Sequence, residues 1–139
     1  KSDQFQPHMP RLQDLLLERP GWMVRKQLSF RGVCFGEYSA DYVAVSHRWE
    51  SPGNADPTGR QMIALCDHLH SHPQIQFVWI DVMCLSQGKD RSPSEKAEFN
   101  TMLANVNFLY LGCQVLILLD NEYPRRFWTM FEAWLSFSA

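Results

Sequence analysis

The chain has 139 residues, with 13 Lys and Arg against 15 Asp and Glu and 45% hydrophobic residues. That length fits one domain, the apolar fraction argues against wholesale disorder, and a net charge of −2 excludes a global basic field for nucleic acid phosphates. No apolar run approaches the roughly 18–20 residues that span a bilayer, and the polar opening Lys1-Ser2-Asp3-Gln4 leads into no apolar signal segment, so neither a membrane nor secretion is expected.

Residues 1–40 read as a preamble. Leu12 to Glu18 is expected as a short helix, stopped by Pro20-Gly21. Trp22 to Phe30 and Val33 to Tyr38 flank Arg31-Gly32 and are expected to pair as a hairpin. From Asp41 the pattern is regular. Tyr42 to Ser46 is a short β-favouring apolar run, the mark of a strand buried on both faces. Pro52, Gly53, Asn54 and Asp56 break the chain after it. Met62, Leu65, Cys66 and Leu69 then fall on one face of a helix closed by Pro73. Ile75 to Ile80 is a second buried strand ending at Asp81, followed by a polar loop from Cys84 to Pro93. Ser92 or Ser94 can cap the next helix, with Pro93 in its first turn. Phe99, Met102, Leu103, Val106, Leu109 and Tyr110 make one long apolar stripe that ends at Gly112. Val115 to Leu119 is a third strand ending at Asp120, Asn121 to Arg126 a loop, and Phe127 to Phe137 a last helix.

The order βαβαβα implies an α/β fold, a parallel sheet with helices on both faces and right-handed crossovers. Ligands of such sheets bind outside the carboxyl ends of the strands. Three segments meet there: Ser46 to Asn54, Asp81 to Arg91, and Asp120 to Arg126.

Some chemistries are unsupported. There is no GxGxxG after a strand and no GxxxxGK[ST]. His68, His70 and His72 alternate, which spreads them around a helix rather than onto one metal, so no metal site is expected. Cys34, Cys66, Cys84 and Cys113 form no CxxC pair and are expected as reduced thiols of a cytoplasmic protein. Cys84 follows a strand, and a nucleophilic role there would need His47 as its base. Arg48 is suited to a phosphate and Trp49 to a stacked base. Trp128 and Glu132 share one face of the last helix. The aromatic company of Glu132 would desolvate its carboxylate and raise its pKa, although an isolated helical Glu is ordinarily a solvated surface residue.

Tyr42-Val43-Ala44-Val45-Ser46-His47-Arg48-Trp49 resembles the opening motif of fungal heterokaryon-incompatibility (HET) domains, and Trp79-Ile80-Asp81 followed by Cys84 and Gln87 resembles their second motif. HET domains are divergent relatives of the Toll/interleukin-receptor (TIR) fold, a flavodoxin-like parallel sheet. Leu116 to Tyr123 followed by Trp128-Thr129-Met130-Phe131-Glu132 is similar to the third TIR strand, its Tyr-containing loop and the Trp-x-x-x-Glu helix. The likeness spans about residues 41–137 of an α/β domain expected over residues 41–139.

That resemblance implies cleavage of NAD+ between nicotinamide and ribose, in immune or cell-death signalling, with NAD+ as substrate rather than cofactor. The catalytic role falls on Glu132. Ser46, His47, Arg48 and Trp49 would line the nucleotide pocket, Asp81, Cys84, Leu85 and Lys89 its gating loop, and Tyr123 and Trp128 its remaining wall. Arg48 or Lys89 would hold the diphosphate. The likeness equally allows a non-catalytic module that self-associates with like domains, or a sensor that binds a nucleotide without cleaving it. Asp120 stands where TIR domains commonly have Ser, and Trp49 follows the HET pattern. The fourth and fifth TIR strands have no counterpart, so the chain is expected to be trimmed or to replace the missing edge with preamble strands. Trp134, Leu135 and Phe137 would then lack neighbours.

Overall fold

In the computed structural model, which describes residues 8–138, three strands form one parallel sheet. They are β1 (Tyr38–His47), β2 (Phe77–Trp79) and β3 (Cys113–Leu118), in the order β2-β1-β3. The opening residues 1–4 lie outside the described part.

The central strand is β1, and Val43 to His47 are buried along it, as its unbroken apolar run requires. Successive residues face opposite sides. Val45 joins Leu65, Ile80 and Val82 on one side, where α3 (Arg60–Ser71) packs. Ala44 joins Val106, Tyr110 and Leu135 on the other, beneath α6 (Asn107–Gly112) and α7 (Phe127–Ser136). Helices therefore cover both faces. The arrangement is a small α/β domain of the generic flavodoxin-like kind.

Register places the site. Ala44 pairs with Trp79, the last residue of β2, so β1 runs three residues further, to His47. Ile80 then becomes the N-cap of a one-turn helix, α4 (Asp81–Cys84), which occupies the space beside that overhang. The second strand is thus shorter than the apolar run from Ile75 suggests. Ile75 instead closes a turn by donating its amide to the His72 carbonyl, and the Gln76 amide donates to the Asp41 carbonyl of β1.

The preamble differs from expectation in one element. The short helix α1 (Leu12–Glu18) forms, and Leu15 and Met9 are buried. The hairpin does not form. A 3-10 turn (Pro20–Trp22) leads through extended chain to α2 (Phe30–Cys34), and Tyr38 already belongs to β1. The reason is local: the Ser29 hydroxyl accepts the Gly32 amide at 2.9 Å, capping a helix over the residues expected to turn. No preamble strand is added at a sheet edge among the described residues.

Ser92 caps α5 (Pro93–Asn105) in a full capping box with Glu95, and Pro93 sits in the first turn. The long apolar stripe does not make one helix. It breaks at Val106, where Leu109 N–H donates back three residues instead of four. This tightening brings Val106 and Tyr110 into the core, whereas no residue of α5 is fully buried. Gly112 ends α6 at a close approach: a Cβ there would lie 2.8 Å from Val33 of α2. Cys66 is exposed rather than on the core face of α3. Leu135 is buried, while Trp134 and Phe137 are exposed, as is much of the aromatic ridge of α7. No helix among the described residues is long and apolar enough to cross a membrane.

Candidate functional site

The carboxyl ends of β1 and β2 open onto a cleft of about 310 Å³, closed on its far side by α7. His47, Arg48 and Trp49 enter from β1, Asp81 and Leu85 from the segment after β2, and Trp128 and Glu132 from α7. These seven residues, widely separated in the chain, are the expected site residues that the fold brings to the cleft wall.

Glu132 lies at the floor, 8% exposed. It projects from the core face of α7, alongside Thr129, Ala133 and Leu135. Its Oε2 is 2.5 Å from the Ser46 hydroxyl, and the Tyr110 hydroxyl is also hydrogen-bonded to it. Its pKa is raised, chiefly because burial penalises the charged form. The surface reading of this residue is therefore replaced by a buried carboxylate. Ser46, fully buried, and Tyr123, 1% exposed, lie behind Glu132 rather than in the cleft wall. The two hydroxyls are 2.6 Å apart, and the Tyr123 hydroxyl is 3.0 Å from the Thr129 carbonyl.

His47 is set by a proton argument. The Gln61 side-chain amide donates through Nε2 to the Arg48 carbonyl at 2.9 Å, which fixes its orientation. Its Oε1 therefore faces His47 Nδ1 at 2.7 Å, and that nitrogen must carry a hydrogen. Nε2 faces the Asp81 carboxylate at 2.8 Å. Both ring nitrogens thus face acceptors, the arrangement of an imidazolium. Burial opposes the charge, but the hydrogen bond and charge of Asp81, with Gln61, outweigh it and raise the pKa. The second oxygen of Asp81 accepts the Trp49 indole N–H at 2.8 Å. Asp81 thereby fixes two cleft walls at once. It also leaves His47 no free nitrogen with which to act as a base for Cys84.

Arg48 grips Asp120 through Nε at 2.9 Å and Nη2 at 2.6 Å. The guanidinium holds the Asp120 carboxyl below its ordinary range. Asp120 also accepts the amides of Glu122 and Tyr123, which starts the turn that buries Tyr123. Asp120 is thus a strut between the ends of β1 and β3. Arg48 lines the cleft with most of its donors already committed. Cys84 and Lys89 do not line it. The Cys84 thiol faces a second cavity under α1, and burial raises its pKa.

Trp79, Gln87, Arg91, Phe99, Arg126 and Thr129 also line the cleft; the sequence assigned none of them a site role, although Trp79, Gln87 and Thr129 stand in the quoted motifs and Arg91 and Arg126 in the strand-end segments. Arg91 lies over the Phe99 ring, 4.0 Å from its centre, and donates to the Ser86 carbonyl. Gln87 Nε2 donates to the carbonyls of Asp81 and Leu85. Gln13 of α1 clasps the Gln87 backbone from both sides, so the preamble braces the loop after β2. Arg126 and Thr129 lie within one helical turn of Trp128, a spacing that could have pointed to them. The contribution of α5 through Phe99 had no such signal. Among the described residues no group of three His, Cys, Asp or Glu converges as a metal site, and His68 and His72 instead stack on each other. Comparison with protein-family models, with curated proteins and with solved structures finds no match to this chain.

Proposed function

We propose that this domain is a TIR/HET-like NAD+ glycohydrolase, with Glu132 as its catalytic residue. One observation carries the reading: the buried carboxyl group of Glu132 stands at the floor of a cleft at the carboxyl ends of β1 and β2, beside Asp81, Arg48 and Trp128.

The chemistry suits a single carboxylate. Bound nicotinamide is a cationic leaving group. The C1′–N bond breaks with its electron pair going to nitrogen, and neutral nicotinamide departs without a general acid. The ribose is left as an oxocarbenium-like cation, the kind of transition state met in glycoside hydrolysis. An ionised Glu132 stabilises that charge. Water then adds to C1′ and gives up a proton to the medium. Trp128, half-exposed at the rim, offers an aromatic wall, and Arg126, whose side chain meets no hydrogen-bond or ion-pair partner among the described residues, is free to meet a phosphate.

Nicotinamide release from NAD+ by the purified protein tests this, at low and high protein concentration. Turnover that disappears in Glu132→Ala is expected. No release at any concentration, or full activity in Glu132→Ala, refutes the assignment. A second reading rests on α7, where Phe127, Phe131 and Trp134 stack in a row and Phe127 and Trp134 are largely exposed. A domain that only assembles with like domains would use that ridge. It would self-associate with concentration and leave NAD+ intact.

A further inference from the structure

The oxygens behind Glu132 form a line whose protons can be counted. Glu132 Oε2 is 2.5 Å from Ser46 Oγ, Ser46 Oγ is 2.6 Å from Tyr123 Oη, and Tyr123 Oη is 3.0 Å from the Thr129 carbonyl. Each contact at hydrogen-bond distance needs one proton between its oxygens. Ser46 and Tyr123 supply one each, and the carbonyl none. Three contacts therefore have two protons, unless Glu132 carries the third. As a carboxylic acid it completes the set: Glu132 donates to Ser46, Ser46 to Tyr123, and Tyr123 to Thr129. As a carboxylate it reverses the line: Tyr123 donates to Ser46 and Ser46 to Glu132, and the contact to Thr129 is lost.

We propose that Ser46 and Tyr123 are positioning residues that hold Glu132 as a neutral carboxylic acid in the resting state, and that a pyridinium-type cation entering the cleft drives it to the anion by reversing this line. The second half rests on the glycohydrolase reading; the first stands without it. The displaced proton leaves through the cleft to solvent, because the line ends on a carbonyl that cannot take it up. The surroundings fit. The cationic His47 favours the anion, Asp81 opposes it, and Asp81 is itself paired to His47. Tyr110 donates to Glu132 from α6, and Arg48 and Arg126 line the same cleft. Burial of the carboxyl supplies the remaining bias toward the neutral form. A catalytic anion that appears only with its cationic substrate is not left unpaired in a buried site beforehand.

The resting state is read by infrared difference spectroscopy between the wild type and Glu132→Gln. A carboxylic acid carbonyl band is expected at neutral pH in the wild type alone, fading as pH rises. Its absence at neutral pH overturns the proposal. Tyr123→Phe supplies the second arm. It costs the neutral line two hydrogen bonds and the ionised line one, so the titration of Glu132 is expected to move to lower pH. In a Ser46→Ala background the same substitution is expected to move it far less, because the line is already cut. A shift to higher pH, or an equal shift in both backgrounds, refutes the directional line. Proton release on binding 1-methylnicotinamide, read from calorimetry in buffers of different ionisation heat, is the third arm. Binding without proton release refutes the cation-driven step. The first two arms need no nucleotide, so a failure to cleave NAD+ alone refutes the glycohydrolase reading and leaves the resting-state assignment intact.

Discussion

Replacing Asp81 by Asn is the sharpest perturbation of the cleft. Besides the adjacent Val82 amide at 2.6 Å, the carboxylate accepts two side-chain hydrogen bonds, from His47 Nε2 at 2.8 Å and from the Trp49 indole at 2.8 Å. Asparagine offers one oxygen and one NH2 group, so it satisfies one of these donors and turns its own donor on the other. One charge-assisted hydrogen bond is lost, about 1.5–3 kcal/mol. The His47 side chain, 2% exposed, also loses its counter-charge. It responds by shedding its proton, which limits the further cost to its pKa change at about 1.4 kcal/mol per unit. We expect a total of about 2–4 kcal/mol at pH 6 in urea unfolding. For a chain of this length that lowers Tm by roughly 6–16 °C.

The sign of the pH dependence follows from linkage. The folded pKa of His47 is raised above its unfolded value. Its contribution is complete below the unfolded pKa and is lost as pH rises through the folded one. The stability gap between wild type and Asp81→Asn must therefore narrow as pH climbs above the ordinary histidine range. The assay is urea unfolding from pH 5 to pH 9, with NMR titration of the His47 ring. A gap under about 0.5 kcal/mol at pH 6, or one that widens with pH, refutes the imidazolium assignment.

Other outcomes follow from single contacts. Arg48→Gln breaks the strut to Asp120, and because the Asp120 side chain is 39% exposed we expect a loss of only about 1 kcal/mol, measured by chemical unfolding and smaller in high salt. Gly112→Ala places a Cβ 2.8 Å from Val33 and is expected to cost about 1–3 kcal/mol, with Val33→Ala in the same chain recovering part of it. Glu132→Gln, a neutral isostere, is expected to gain stability relative to wild type as pH rises above the ordinary carboxylate range, because the raised pKa of Glu132 makes the wild type lose stability over that window. Thermal unfolding of the two proteins at stepped pH reads the difference, and a constant gap would contradict it.

The sequence by itself determined the layered α/β order and, closely, where each strand stops, near Ser46, Ile80 and Leu119. Those depend on local pattern: an apolar run such as Tyr42 to Ser46 has nowhere to go but a sheet buried on both sides, and Ser92 or Ser94 beside Pro93 marks a helix start. Local pattern also misled where two signals competed. Arg31-Gly32 between apolar runs suggested a turn, and the Ser29 cap won. The long stripe from Phe99 suggested one helix, and packing of Val106 and Tyr110 against the sheet broke it. Motif resemblance picked out His47, Asp81 and Glu132, but not the company each keeps. Only tertiary structure decided that Asp81 serves both His47 and Trp49, that Arg48 is spent on Asp120, and that Glu132 sits at the end of a line of hydroxyls drawn from β1, the turn at Tyr123 and α7. The physical reason is separation: Ser46 and Glu132 are 86 residues apart in the chain, so no spacing rule relates them, and the 2.5 Å between their oxygens exists only once the sheet and α7 have closed on each other.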